Sequence, residues 1–126
     1  MKKVIHTDNA PRALGPYSQA VQAGSFLFTS GQVGIDPATG KLVEGDIQGQ
    51  TRRVMENLKA VLQAAGCDFG QVVKSTVFLA DMQDFAAFNT VYGSYFSAQP
   101  PARSTFQVAA LPLGARVEIE MVAEIA

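Results

Sequence analysis

The sequence holds one cysteine, Cys67, one histidine, His6, and no tryptophan. A single thiol rules out a disulfide framework within the chain. One Cys and one His also fall short of a zinc cluster. A Ser/His/Asp or Cys/His apparatus would have to use His6, close to the N-terminus, which speaks against that kind of nucleophilic catalysis. Cys67 has no base near it in sequence and reads as a packing residue. No apolar run reaches the ~18 residues of a transmembrane helix. The opening "MKKVIHTDNAPRALG" lacks the apolar core of a signal peptide, so the expected location is the cytoplasm. There is no charge surplus either. Ten basic residues face eleven acidic ones, for a net charge of −1, which weighs against a broad basic surface for nucleic acid. "GPYSQA" and "SGQVG" also lack the spacings of glycine-rich phosphate loops.

What is present suits one domain spanning 1–126, with 48% apolar residues and no repeat or linker. Lys3 to His6 reads as a short strand, and "NAPRALGPYSQA" as a Pro/Gly-punctuated loop. Two strands flank a turn at Gly24, and "DPATGKLV" reads as a hairpin through Pro37 and Gly40. Ile47, Thr51, Val54, Leu58, Val61, Leu62 and Ala65 recur at three and four residues, predicting an amphipathic helix closed by Gly66. Gln71 to Ala80 is rich in Val, Thr and Phe and reads as a strand. Asp81 or Asp84 then caps a second helix with the stripe Phe85, Phe88, Tyr92, Tyr95 and Phe96, ended by Gln99-Pro100-Pro101. That stripe reads as core rather than as a base-stacking platform. Arg103 to Ala109 and Arg116 to Ile125 read as strands, the latter strictly alternating. The pattern predicts an α+β fold: a mixed sheet with both helices on one face and the other face open to further copies of the chain.

Five positions stand out chemically. Arg103, in "PPARSTF", follows two prolines that restrict the backbone. Its guanidinium fork matches a carboxylate or phosphate, or else makes a structural ion pair. Thr105 could add a hydroxyl to an anion cradle. Glu118 alternates away from Ile119 and Met121. It is either a solvated charge or an acceptor that positions a water. Tyr17, between Pro16 and Ser18, either meets a ligand or seals a core edge. Gly31, in "TSGQ", permits close backbone approach or only serves a turn.

Four blocks, in order, resemble the reactive intermediate deaminase A (RidA) family, also called the YjgF family. They are "NAPRALGPYSQA", "TSGQVGIDPATGKLV", "VVKSTVFLADMQDFAAFNTVYGSYF" and "PPARSTFQVAALPLGARVEIEMVA". The resemblance covers nearly the whole chain. It implies a chorismate-mutase-like α+β fold, a homotrimer, and active sites in the clefts between subunits. It also implies hydrolysis of enamine and imine intermediates, 2-aminoacrylate/2-iminopropanoate and 2-aminocrotonate/2-iminobutanoate, to 2-oxo acids and ammonia, with no cofactor and no metal.

Carried over residue by residue, Arg103 matches the position that holds the substrate carboxylate, and Glu118 the one that holds the attacking water. Tyr17 matches a pocket-wall tyrosine from the neighbouring subunit. Gly31 matches a backbone contact to the substrate nitrogen, and Asn89 a polar position near the pocket. The chain departs from many relatives at Thr105, where they carry cysteine. A threonine keeps a hydroxyl and loses any thiol chemistry. Two other readings remain open at this stage. One is a regulatory trimer that binds carboxylates without turnover. The other is an endoribonuclease or translation inhibitor, against which the charge balance speaks.

Overall fold

Alternating apolar residues give each strand one face to bury, and this alternation sets the architecture. The structure, a computed structural model, describes residues 1–125. In chain order the elements are β1 (Lys3–Ile5), β2 (Ala20–Ala23), β3 (Phe26–Thr29), β4 (Ile35–Asp36), β5 (Lys41–Leu42), α1 (Ile47–Ala64), β6 (Val72–Leu79), α2 (Phe85–Gly93), β7 (Ala102–Gln107) and β8 (Val117–Glu124). Six strands form one mixed sheet in the order β1-β2-β3-β8-β6-β7, and β4-β5 is a separate hairpin. Every pairing in the large sheet is antiparallel except β6 with β7, which run parallel across the α2 crossover.

Both helices pack on one face of this sheet. Val117, Ile119, Met121 and Ala123 of β8 are buried beneath Val54, Met55, Leu58, Val61 and Leu62 of α1 and Phe88 and Tyr92 of α2. Each such large side chain contributes about 1.5–3 kcal/mol on burial. Helix α1 starts where Asp46 accepts a hydrogen bond from the Gly49 N–H at 3.0 Å. It ends before Gly66, whose φ of +80° no side-chain-bearing residue adopts cheaply. No helix among the described residues is long and apolar enough to cross a membrane.

Strand ends differ from the sequence reading by a residue or two, and the end of α2 by more. Helix α2 ends at Gly93 rather than running on to Gln99. The Ser94 hydroxyl donates back to the Val91 carbonyl at 2.6 Å, and Tyr95 and Phe96 turn to pack edge-on against Phe69. Tyr95 also donates to Glu56 at 2.8 Å, and burial together with that carboxylate pushes its phenol up to about 12. At the start of α2 it is Asp81, not Asp84, that caps, by accepting from the Gln83 N–H of a short 3-10 turn.

The face opposite the helices is uncovered. Register places Phe28 beside Val122, and Glu118 beside Phe78 and then Phe106. Phe28 and Phe106 are 48% and 46% exposed, so large apolar side chains stand in water across this face.

Candidate functional site

The strand alternation that buries Ile119 and Met121 turns Glu118 onto the open face of the sheet. Its carboxylate lies against the backbone of Gly31. A Cβ at that glycine would sit 2.8 Å from the Glu118 Cδ and closer still to Oε2. Only glycine therefore lets the acid occupy this place. The segment is anchored by reciprocal backbone hydrogen bonds between Gln32 and Ile119 at 2.9 and 3.1 Å. Half-burial raises the Glu118 carboxyl above the ordinary glutamate range, and the neighbouring Glu120 charge adds to the shift. Tyr17 reaches the same region through its sequence neighbour. The Ser30 hydroxyl donates to the Ser18 carbonyl at 2.5 Å, and the Ser30 N–H to the Gln19 carbonyl at 2.9 Å. The Tyr17 ring is 49% exposed, and its hydroxyl accepts from the Leu14 N–H at 3.1 Å.

Arg103 sits elsewhere, on the edge strand β7 and in register with Ser75 on the helix-covered face. Its guanidinium carbon lies 4.9 Å from the Tyr92 ring centre, 5.4 Å from Phe85 and 5.5 Å from Phe88. One Nη1 proton goes to Asn89 Oδ1 at 2.8 Å. No carboxylate pairs with Arg103 among the described residues. Two residues on, Thr105 shares this face opposite Val77, and its buried Oγ1 has no hydrogen-bond partner.

The six expected residues thus form two groups. Gly31 and Glu118 meet on the open face, and Tyr17 stands in the loop whose next two carbonyls, of Ser18 and Gln19, bond to Ser30. Arg103, Asn89 and Thr105 gather at the β7 edge on the other face. Glu118 is two strands across and three residues along from Arg103, on the order of 14 Å between Cα atoms from strand spacing and rise. Within one chain the two groups are separated by the sheet itself. A cleft of about 590 Å³ between residues 8–14 and 35–40 contains none of the six.

Cys67 is buried, its thiol is raised chiefly by desolvation, and it donates to the Leu62 carbonyl, which suits packing. His6 is exposed and paired with Asp8. Among the described residues no cluster of three or more His, Cys, Asp or Glu side chains could hold a metal ion.

Sequence reasoning missed two supports. The aromatic stripe of α2 is core, and it is also the seat of Arg103. The signal was an amide, Asn89, set between Phe88 and Tyr92 on the same helical face. Asn57 is fully buried on α1 and donates to the carbonyls of Val33 and Ile35 at 3.3 and 2.9 Å, tethering the segment after Gly31. Its signal was a polar residue inside an apolar helical stripe.

With this geometry in view, a family model described as Endoribonuclease L-PSP matches residues 7–125. Protein DfrA of Myxococcus xanthus is 59% identical over 124 residues, covering 97% of this chain and 95% of that one. A Mus musculus protein named 2-iminobutanoate/2-iminopropanoate deaminase is 54% identical over 123 residues, covering 98% and 91%. The crystal structure of E. coli TdcF with bound serine superposes with a TM-score of 0.94 at 46% identity, covering 98% of this chain and 99% of that one.

Proposed function

This chain belongs to the RidA (YjgF, L-PSP) family, and on that premise we propose that it hydrolyses imines of small 2-amino acids to 2-oxo acids and ammonia. The observation that carries this reading is the state of Arg103. Its cation is held by neutral groups, an amide oxygen and aromatic faces, with no carboxylate partner among the described residues. A guanidinium kept in this way is open to the bidentate carboxylate of a 2-imino acid.

An imine carbon needs no covalent catalyst. A water must be oriented against it and two protons must be carried from its oxygen to the nitrogen. Glu118 supplies that group: it takes a proton as the water adds to the carbon and returns it to the nitrogen, giving the carbinolamine. It then takes the hydroxyl proton as the carbonyl forms and the C–N bond breaks, and passes that proton to the nitrogen, which leaves as ammonia. A carboxyl raised by burial accepts and returns protons closer to neutral pH. The Gly31 backbone faces the same space.

In a 2-imino acid the carboxylate adjoins the imine carbon, yet Arg103 and Glu118 occupy opposite faces of the sheet. The site is therefore composite. Arg103, Asn89 and Thr105 of one copy meet Glu118, Gly31 and Tyr17 of another, in a homotrimer that covers the open face. RNA cleavage is the less supported alternative, since the lone histidine is exposed and tied to Asp8 and the chain has no basic surplus.

A coupled assay tests the reading. Threonine dehydratase generates 2-aminocrotonate in place, and 2-oxobutanoate formation is followed with and without this protein, with semicarbazide trapping free imine. Faster keto-acid release by wild type, absent with Arg103→Ala, supports the deaminase. No acceleration by folded wild type removes it.

A further inference from the structure

Arg103 stands on an edge strand, where a long cationic side chain has many places to go. Phe85, Phe88, Asn89 and Tyr92 lie at i, i+3, i+4 and i+7 along α2, and so on one helical face. They surround the guanidinium with three rings and one amide oxygen. Tyr92 is the nearest ring, and its hydroxyl is tied to the Ser75 hydroxyl at 2.6 Å, both buried. Ser75 in turn is the β6 residue in register with Arg103. A closed circuit results: β7 carries the arginine, β6 carries the serine that anchors the tyrosine, and the tyrosine ring faces the arginine.

We propose that Tyr92, anchored by Ser75, is a positioning residue that fixes the plane and direction of the Arg103 guanidinium toward a carboxylate. The inference rests on the reading of Arg103 as the carboxylate clamp. The ring attracts the cation through its negative face and leaves the outward N–H donors free. A carboxylate partner in the same place would neutralise the arginine and compete with the substrate. Asn89 removes one rotational freedom, and the Tyr92–Ser75 pair removes the freedom of the ring itself. The binding fork is then ordered before the anion arrives, which lowers the ordering cost on binding. Because the carboxylate is bound alike before and during reaction, this device acts on KM rather than on kcat.

The test uses the intact protein and two readouts. The first is the Arg103 side-chain Hε–Nε resonance in ligand-free protein, assigned with Arg103→Lys and displaced by the ring current of Tyr92. The second is 2-oxobutanoate affinity, together with KM and kcat. Tyr92→Leu is expected to shift the resonance toward those of exposed arginines. It should weaken 2-oxobutanoate binding and raise KM about tenfold, the scale of one partly desolvated cation–π contact, with kcat within about twofold. Tyr92→Phe should keep most of the affinity, and Ser75→Ala should shift the resonance with the ring retained. A folded Tyr92→Leu with unchanged resonance and affinity overturns the proposal. If Tyr92→Leu does not fold, unchanged resonance and affinity in both Tyr92→Phe and Ser75→Ala overturn it. Wild type that fails to bind 2-oxobutanoate, with the resonance behaving as expected, counts against the deaminase reading and leaves the positioning of Arg103 standing.

Discussion

At the scale of single residues, the two central groups have opposite relations to their surroundings. Arg103 is satisfied by neutral partners, so its removal leaves no buried charge behind. Arg103→Ala is expected to fold and to lose about a thousandfold in kcat/KM, the scale of a lost bidentate ion pair. Circular dichroism and the coupled assay check the two halves of that statement. Glu118 is half-buried beside Glu120 with its carboxyl raised, so the folded state resists its ionisation. The stabilising contribution of a raised carboxyl is full below the ordinary glutamate range and disappears as pH rises through the folded value. At neutral pH the ionised acid is thus a burden on the fold. Glu118→Gln should melt at a higher temperature than wild type at pH 7, with the difference shrinking as pH falls toward the ordinary glutamate range. The same variant should lose about a hundredfold or more in kcat with a smaller change in binding. A Tm that falls on substitution, or that shows no pH dependence relative to wild type, would contradict the burial argument.

At the scale of elements, the site depends on how segments are tethered. Gly31 must lack a Cβ for Glu118 to lie where it does. Gly31→Ala is expected to reduce turnover strongly while shifting Tm little, because the neighbouring carboxylate is the end of a side chain that can swing away. Asn57 holds two buried carbonyls just beyond, and Asn57→Leu should cost about 2 kcal/mol by denaturant unfolding by leaving them unpaired. Much of this level was legible in the sequence. The 3.6-residue repeat predicts α1 to within a residue of its observed end, and the alternation in β8 assigns Glu118 to the face away from the core. The end of α2 was not legible. Tyr95 and Phe96 keep the helical spacing of the stripe while leaving the helix, and only their packing on Phe69, distant in sequence, shows why. The separation of Arg103 from Glu118 was equally hidden. Alternation assigns each residue a side within its own strand, whereas strand order decides how far apart they stand.

At the scale of the whole molecule, an uncovered sheet face with Phe28 and Phe106 in water points to association. Light scattering is expected to report three times the 13.4 kDa chain mass. A composite site makes a sharper forecast. Arg103→Ala and Glu118→Gln, each inactive alone, should regain activity when unfolded together and refolded. In random mixed assemblies about a quarter of the sites would draw an intact arginine from one chain and an intact glutamate from another. Refolded mixtures with no more activity than either parent would mean that one chain supplies both groups.

Strand β8 lies between β3 and β6, although it is the last of the strands in the chain. Without β8, therefore, β1-β2-β3 and β6-β7 are two half-sheets with no strand pairing between them. The strand that zips them together is also the one that carries Glu118. A chain cut short before residue 117 lacks both the strand that closes the sheet and the glutamate set on it. Closing the sheet is also what brings Glu118 against Gly31.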